Sequence, residues 1–271
     1  MPELPEVEVT RRGLMPHVFG RHILHARDHG QALRYPYPDW RILQGRKILD
    51  IQRRAKYLLF CLEGDGRLVC HLGMTGQFRC LPSNEEVAQH EQVCLHLDDG
   101  WSLRYCDVRR FGYMAFISES AFSSHPWFSH LGPEPLSDAF TPSWLIRCCR
   151  GRRCSIKHLV MDTRIVVGVG NIYASEALFR SGIHPARKAG DVGSEALIRL
   201  HAALREVLAE AIRAGGSTIR DFRRSDGRPG YFSHAFRVYG REGEPCVECG
   251  GVIQRFKQDG RSSFFCPSCQ T

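Results

Sequence analysis

Lysine is scarce in this 271-residue sequence, which has 5 lysines against 32 arginines. No stretch approaches the roughly 20 apolar residues of a transmembrane helix, so we expect no membrane association. The N-terminus lacks the basic and apolar regions of a signal peptide, and we therefore expect a cytoplasmic protein in a reducing compartment. A hydrophobic content of 43% with 24% charged residues excludes wholesale disorder. The length favours two domains.

The positive charge is confined to the second half of the chain. Residues 1–146 carry 16 Lys+Arg and 17 Asp+Glu, a net charge of −1, whereas residues 147–271 carry 21 and 12, a net charge of +9. Such asymmetry is typical of a protein that binds a polyanion, most often nucleic acid. Arginine suits phosphate and base edges, although a merely solvated basic surface has the same composition.

Four of the twelve cysteines are spaced as zinc ligands. Cys246-x2-Cys249 and Cys266-x2-Cys269 predict one tetrahedral zinc ion held by four thiolates, and such a site has no open coordination position, so it is structural. Between the two pairs, residues 254–257 and 262–265 flank an Asp-Gly turn and predict a β-hairpin. The other eight cysteines follow no disulfide framework, and we expect free thiols, several of them in the core.

The first half of the chain is predicted to be a helix followed by β-strands. Apolar residues at positions 4, 7, 14 and 18 indicate an amphipathic helix over residues 3–18. The strand-like runs are 47–52, 56–62, 67–72, 93–97 and 102–108, with a hairpin turn at 98–100.

Proline and glycine become dense at 131–135, which we interpret as a linker to a helical second half. Helix candidates are 143–149, 156–161, 172–181 and 194–214. The last of these is the clearest; we predict Ser194 as its N-cap and Gly215-Gly216 as its end. Residues 227–230 are predicted to be a surface loop.

Two segments could carry chemistry at the ends of these elements. If the initiator methionine is removed, Pro2 has a free secondary amine, whose pKa near 8 leaves a useful fraction nucleophilic at pH 7. The alternative is an ordinary N-terminal residue. The two glycines of 168–170 precede a helix at Asn171, where backbone N–H groups could seat a phosphate; a tight interhelical turn is an equally good interpretation.

Other side chains have both a chemical and an ordinary interpretation. Glu3 and Glu6 are either first-turn acids or general acid/base groups beside the reacting amine. Lys56 opens a strand and is otherwise a solvated basic edge. Met74 and the Arg109–Phe111 turn could be surface residues, or a wedge that enters DNA when a base is extruded.

Taken together, the sequence resembles the bacterial formamidopyrimidine-DNA glycosylase family over essentially its whole length. The motifs that carry the resemblance are MPELPEVE at 1–8, QRRAKYL at 52–58, HLGMTG at 71–76, RRFG at 109–112, HLGPEPL at 130–136, VVGVGNIYASE at 166–176, SDGRPGYF at 225–232 and the four-cysteine finger.

The resemblance implies an α+β fold with three domains. Residues 1–132 would form a catalytic β-sandwich with flanking helices, 133–240 a helical DNA-binding domain with a helix-two-turn-helix, and 241–271 the zinc finger. It also implies a bifunctional glycosylase and abasic-site lyase of base-excision repair. Its substrate would be duplex DNA containing 8-oxoguanine or formamidopyrimidines. The protein is expected to be a monomer at the bacterial nucleoid.

The resemblance assigns roles residue by residue. Pro2 would attack C1′ of the damaged nucleoside and Glu3 would supply acid/base function, while Lys56 and Arg261 would hold phosphate and assist β- and δ-elimination. The positions matching DNA contacts are His90, Arg109, Arg152 and Asn171, although any arginine of 150–153 could take the phosphate. Those matching void-filling residues are Met74, Arg109 and Phe111, and residues 217–232 match the lesion-capping loop.

Two rival functions remain at this point. An endonuclease VIII-type glycosylase would prefer oxidised pyrimidines, but Leu4-Pro5 and the loop at 227–230 argue against it. A zinc-ribbon DNA-binding regulator without activity would explain the charge and the finger. It would not explain Pro2, Glu3 and Lys56 together.

Overall fold

The computed structural model describes residues 2–217 and 235–271, which belong to two compact units. The first unit contains the described residues up to Ser129 together with Ala214–Ser217, and the second contains His130–Arg213 and residues 235–271. The predicted loop at 227–230, and the lesion-capping segment beyond residue 217, lie outside the described residues. The domain boundaries predicted at residues 132 and 240 remain predictions.

The first unit begins with helix α1, Leu4–Val18, one residue later than predicted. Glu3 is its N-cap residue, and Glu3 and Glu6 form a reciprocal capping box with a proline in the first turn. The helix continues through Gly13 and Pro16 because its apolar face is anchored: Leu4, Leu14 and Val18 are fully buried. Tertiary packing therefore outweighs the low helix propensity of glycine and proline here.

Two four-stranded antiparallel sheets follow α1. The strands are β1 Ile23–Asp28, β2 Ile48–Arg54, β3 Tyr57–Leu62, β4 Arg67–His71, β5 Gln77–Pro82, β6 Glu91–Leu97, β7 Trp101–Cys106 and β8 Tyr113–Ile117. One sheet has the order β2-β3-β4-β8 and the other has the order β1-β6-β7-β5. The five predicted strands are confirmed with shifts of one or two residues at most ends, whereas β1, β5 and β8 were not predicted.

The two sheets share one hydrophobic core with α1. Leu14 of α1, Ile51 of β2, Phe60 of β3 and Leu95 of β6 lie in a single buried cluster. Cys70 of β4 is fully buried in the same cluster, as expected for a thiol in an apolar run. The predicted fold class, a β-sandwich with flanking helices, is thereby confirmed for this unit.

The second unit is helical. Its helices are α3 Pro142–Cys149, α4 Ile156–Met161, α5 Asn171–Arg180 and α6 Ser194–Arg213, and a short helix α2, Glu119–Phe122, belongs to the first unit. Each predicted helix is confirmed within about one residue. Ser194 is the first helical residue rather than a cap before it, because the Leu197 N–H already donates to the Gly193 carbonyl. Among the described residues, no helix is long and apolar enough to span a bilayer.

The predicted hairpin near the C-terminus is present as β9, Gln254–Gln258, and β10, Arg261–Phe265. Asp259 and Gly260 form its turn with φ values of 50° and 73°, the left-handed conformation that Asp-Gly turns favour. Ile253 and Phe179 of α5 lie in one buried cluster with Cys246 and Cys266. The finger is therefore packed on the helical part of its own unit.

Candidate active site and nucleic-acid interface

The start of α1 places Pro2 among buried acidic groups. Pro2 is buried, and the Glu3 and Glu6 residues are each 2% exposed. The Glu3 N–H donates to Glu6 Oε2 at 2.9 Å, and the other Glu6 oxygen accepts from the Ser217 N–H and hydroxyl at 2.8 and 2.9 Å. The Glu6 carboxylate thus links the peptide group between Pro2 and Glu3 to Ser217.

Lys56 lies in the two-residue turn between β2 and β3 rather than at the start of a strand, which corrects the sequence interpretation. Its neighbour Ala55 has a φ of 53° and is buried. The Arg53 guanidinium donates to the Ala55 carbonyl at 3.0 Å and to the Glu8 carboxylate of α1 at 3.2 Å. One arginine therefore fixes the turn that carries Lys56 to the helix that begins beside Pro2.

His71 is the residue where β4 ends, and it is held neutral. Burial lowers its pKa to about 4, with further lowering by the positive charges of Lys56 and Arg34. The Gly73 N–H donates to His71 Nδ1 at 3.0 Å, so the proton of the neutral ring is on Nε2. The imidazole stacks on Tyr113 with ring centroids 4.9 Å apart.

Met74, Arg109 and Phe111 project from two neighbouring turns, as predicted. Met74 follows β4 and is 36% exposed, while Phe111 follows β7 and is 45% exposed. The Arg109 guanidinium lies over the Phe111 ring at 4.7 Å. An open cavity of about 670 Å³ is lined by these three residues together with Ala32, Arg34, His71, Gly73 and Arg110. Large apolar side chains at an exposed turn suit insertion into a base stack.

His90 belongs to the same unit and lies at the exposed end of the turn before β6. Its φ is 62°, a left-handed conformation that is uncommon for residues other than glycine but that histidine, asparagine and aspartate adopt more often than the rest. The structure therefore places His90, Met74, Arg109 and Phe111 on turns of one unit.

In the second unit, Asn171 and Arg261 line one cavity of about 180 Å³. Arg261 is exposed at the first position of β10, and the Asn171 amide donates to the Ser262 carbonyl at 3.0 Å. Asn171 Oδ1 is buried and has no hydrogen-bond partner within the part of the chain that is described. The cavity thus offers a guanidinium and an amide at the start of α5, where a phosphate is favoured.

Lys157 lines the same cavity but is buried at 3% exposure. Its ammonium donates to the Ser262 carbonyl at 3.1 Å and to the Ser263 hydroxyl at 2.7 Å. Arg152 is also in this unit, with an exposed side chain and a backbone carbonyl that accepts from the Gly190 N–H at 3.0 Å.

The four finger cysteines fit one zinc ion. Their sulfur atoms all lie within 4.8 Å of one another, and two Sγ–Sγ distances are 3.9 Å (Cys246 to Cys269) and 3.5 Å (Cys249 to Cys266). A tetrahedral site with Zn–S bonds of about 2.3 Å has sulfur atoms roughly 3.8 Å apart. The Gly251 N–H points at Cys249 Sγ from 3.4 Å. This is a structural zinc site because all four coordination positions are taken by thiolates.

Three family models match most of the chain. The family models described as formamidopyrimidine-DNA glycosylase N-terminal domain, formamidopyrimidine-DNA glycosylase H2TH domain, and zinc finger found in FPG and IleRS match residues 1–114, 131–223 and 243–271. The formamidopyrimidine-DNA glycosylase of Alkalilimnicola ehrlichii is 50% identical over the full length of both chains. The chain belongs to the formamidopyrimidine-DNA glycosylase family.

Other members of the formamidopyrimidine-DNA glycosylase family agree over the full chain. The relative from Cronobacter sakazakii is 48% identical over all of both chains. The crystal structure of the MutM (FPG) protein from Thermus thermophilus has a TM-score of 0.90 and 44% identity, covering 99% of this chain and 98% of that one. A Lactococcus lactis Fpg in complex with DNA containing an abasic site has a TM-score of 0.91 and 33% identity, with 99% of each chain covered.

Sequence reasoning missed several residues that position this family's site. Lys157 and Arg53 were not singled out, and Glu6 was considered only beside the amine. Asp107 was also missed, although it stands two residues before Arg109. One signal was available for Lys157, since a lysine among only five in the chain falls on the inner side of a short helix.

Proposed function

We propose that this protein is a bifunctional DNA glycosylase and abasic-site lyase that removes oxidised purines, chiefly 8-oxoguanine and formamidopyrimidines, from duplex DNA. The observation that carries the proposal is Pro2, a residue with a secondary amine once Met1 is removed, buried beside Glu3 and Glu6 at the start of α1. Membership of the glycosylase family supports the same chemistry. Because this substrate is duplex DNA, the proposal includes action at the bacterial nucleoid.

In the first step the lone pair of the Pro2 nitrogen attacks C1′ of the damaged nucleoside. The bond from C1′ to the base breaks, and the base leaves with the bonding electrons and takes up a proton. The Pro2 nitrogen loses its proton, the bond from C1′ to O4′ breaks and O4′ takes up a proton, which leaves an open sugar joined to Pro2 as an iminium at C1′. Glu3 transfers protons at the sugar, which is the task of a carboxyl next to the reacting amine.

The iminium then acts as the electron sink for strand cleavage. Loss of a C2′ proton expels the 3′ phosphate in the β-elimination, and loss of a further proton expels the 5′ phosphate in the δ-elimination. Lys56 assists the first elimination and holds phosphate, and Arg261 holds phosphate and serves the second. No oxidant or reductant enters either step.

The remaining assigned residues bind and open the duplex. His90, Arg109, Arg152 and Asn171 contact the DNA, and Met74, Arg109 and Phe111 fill the gap left by the extruded base. Filling the gap offsets part of the unstacking cost, which is a few kcal/mol.

Borohydride trapping on a duplex containing 8-oxoguanine opposite cytosine tests the nucleophile. Hydride reduces the iminium to a stable amine, so we expect a covalent protein–DNA adduct. The adduct should be lost in the Pro2→Gly variant and in a protein whose N-terminal amine is blocked by a tag. The Pro5→Ala variant is the matched control, because it changes a nearby proline in the first turn of α1 without removing the Pro2 amine, and it should keep the adduct.

Two results would overturn the proposal. Absence of an adduct with the unmodified protein would exclude the lyase chemistry. Cleavage of thymine glycol duplexes without cleavage of 8-oxoguanine duplexes would assign the protein to oxidised pyrimidines instead.

A further inference from the structure

The buried carboxylate of Asp107 connects the two turns that carry Met74, Arg109 and Phe111. Asp107 directly follows β7 and is 0% exposed. One carboxylate oxygen accepts from the Thr75 hydroxyl and from the Arg109 N–H, the latter at 3.3 Å. The other oxygen accepts from the Gly112 N–H at 2.8 Å and from the Tyr105 hydroxyl at 3.2 Å. Three donors from the two turns and one from β7, the Tyr105 hydroxyl, therefore converge on one side chain.

The backbone of Asp107 holds the His90 turn in the same way. Its N–H donates to the His90 carbonyl at 3.0 Å. The Gln92 amide donates both to the His90 carbonyl at 3.1 Å and to the Asp107 carbonyl at 3.3 Å. A third turn with an assigned DNA contact is thus joined to the same residue.

The three turns are close together and conformationally demanding. His90 and Arg110 have φ values of 62° and 53°, and Gly73, beside Met74, has a φ of 63°. A Cβ on Gly73 would lie 2.4 Å from the Gly112 nitrogen. The turn that carries Met74 and the turn that carries Arg109 and Phe111, called the two wedge turns below, are therefore in close backbone contact. At His90 and Arg110, which have a Cβ, such conformations cost energy and persist only where the surroundings fix them.

The buried side chain of Tyr105 packs against the two wedge turns. Its hydroxyl lies where a Cβ on Gly112 would be, only 1.8 Å from that position. Burial and the neighbouring Asp107 raise the pKa of Tyr105 well above its usual value, so the phenol stays protonated and donates. The Asp107 carboxylate can only accept hydrogen bonds, and it is surrounded by donors. This arrangement is called the Asp107 clamp below.

We infer that Asp107 is a positioning residue for base extrusion, which holds the His90, Met74 and Arg109–Phe111 turns as one preformed unit. The inference rests on the proposed function, because the DNA roles of those turns come from it. If the turns are already held by Asp107, no conformational entropy is lost in ordering them when their side chains enter the duplex. Turns that were not held would have to be ordered during extrusion, and this would weaken DNA binding. Chemistry at Pro2 does not require the clamp.

The test compares two substrates in the Asp107→Asn variant, which keeps the shape of the side chain but presents an amide to the donors. Base release from 8-oxoguanine duplexes, which requires extrusion, should fall about 10- to 100-fold, the effect of leaving buried donors without acceptors. Borohydride trapping on a duplex with a preformed abasic site should fall less than about threefold, because there is no base to unstack. The fluorescence change of 2-aminopurine next to the lesion, a readout of extrusion, should shrink in parallel.

Thr75 supplies a milder pair of variants if Asp107→Asn does not fold. Thr75→Ser keeps the hydroxyl donor and should keep the wild-type ratio between the two substrates. Thr75→Val has the same shape without the hydroxyl and should lower 8-oxoguanine processing selectively.

The outcomes distinguish failure of the positioning role of Asp107 from failure of the proposed function. Equal losses on both duplexes, or no loss on either, in Asp107→Asn or in Thr75→Val overturn the positioning role and leave the proposed function intact. Failure of the unmodified protein to trap on either duplex overturns the proposed function and this inference with it.

Discussion

At the scale of single residues, His71 shows how the fold keeps a titratable group neutral beside charged ones. The ring is stacked on Tyr113, accepts the Gly73 N–H and lies near the positive charges of Lys56 and Arg34. A protonated imidazole there would add a third positive charge and could not accept the Gly73 hydrogen bond. The neutral ring instead supports the turn that carries Met74.

Because the pKa of His71 is lowered to about 4, we expect the free energy of unfolding to depend on pH. The unfolded chain binds a proton at His71 near pH 6.5, and the folded protein does so only near pH 4. The unfolded state therefore holds more protons between these values, and the free energy of unfolding should fall as the pH drops from 6.5 to 4. NMR titration should place the midpoint of the His71 ring signals near pH 4.

Variants isolate this contribution from the acid sensitivity of the rest of the protein. His71→Gln removes the titration, so its free energy of unfolding should fall less than that of the wild type between pH 7.5 and pH 4.5. His17→Gln, which changes an exposed histidine of α1, should follow the wild type. A midpoint for His71 between pH 6 and 7 would contradict the prediction.

At the scale of elements, the finger hairpin depends on a buried lysine as well as on zinc. Lys157 of α4 and Asn171 of α5 both donate to the Ser262 carbonyl, next to Arg261. Zinc fixes the base of the β9–β10 hairpin, where Cys266 follows β10. The lysine fixes β10 near its other end, where Arg261 is presented.

The Lys157→Met variant should therefore have the same cleavage defect as a variant that lacks the Arg261 side chain. It removes two hydrogen bonds from a charged donor and should lower the free energy of unfolding by about 2 kcal/mol. Electrophoresis of the cleaved strand should show β-elimination products in place of β,δ-elimination products, with the zinc content unchanged. Lys257→Met, an exposed lysine of the same hairpin, should leave the product pattern unchanged; an identical pattern in both variants would refute the role of Lys157.

Elements with a clear period could be predicted from the sequence, and those set by long-range pairing could not. α6 and the finger hairpin have unbroken patterns and clear end signals. β1 has only one fully buried residue, Ile23, and β5 is half-buried along most of its length, so neither strand has the regular alternation that indicates a sheet face. These strands form because β6 and β7 offer them hydrogen-bonding edges.

The residues of the candidate site also differ in whether local sequence or long-range contacts determine them. The zinc cysteines could be predicted from residue type and spacing alone, whereas the roles proposed for Pro2, Lys56 and Arg109 came from the resemblance of their motifs to the family. The Asp107 clamp joins three turns that are distant in sequence, and its meaning depends on which backbone N–H groups meet it. No local pattern carries that information.

At the scale of the whole molecule, the proposed nucleophile and the net positive charge lie in different halves of the chain. The half that begins with Pro2 is nearly neutral, and the net positive charge belongs to residues 147–271. In the proposed function, Pro2, Lys56 and the turns that carry Met74 and Arg109–Phe111 need specific geometry rather than a strong field, and the β-sandwich would supply this geometry. The basic half supplies attraction to the phosphate backbone, which is independent of base sequence.

DNA affinity should therefore depend steeply on salt. If Lys56, Arg109, Arg152 and Arg261 each neutralise one phosphate, counterion release gives a slope of log K against log salt of roughly −3.6. Arg152→Ala should reduce the steepness by about 0.9 and leave the ratio of lesion to undamaged binding unchanged, because a phosphate contact carries no base information. Arg41→Ala is the matched control, since this exposed arginine is paired with Asp39 outside the predicted interface. Fluorescence anisotropy between 50 and 200 mM salt measures the slope, and equal slopes for Arg152→Ala and the wild type would remove Arg152 from the interface and direct the search to Arg150 and Arg153.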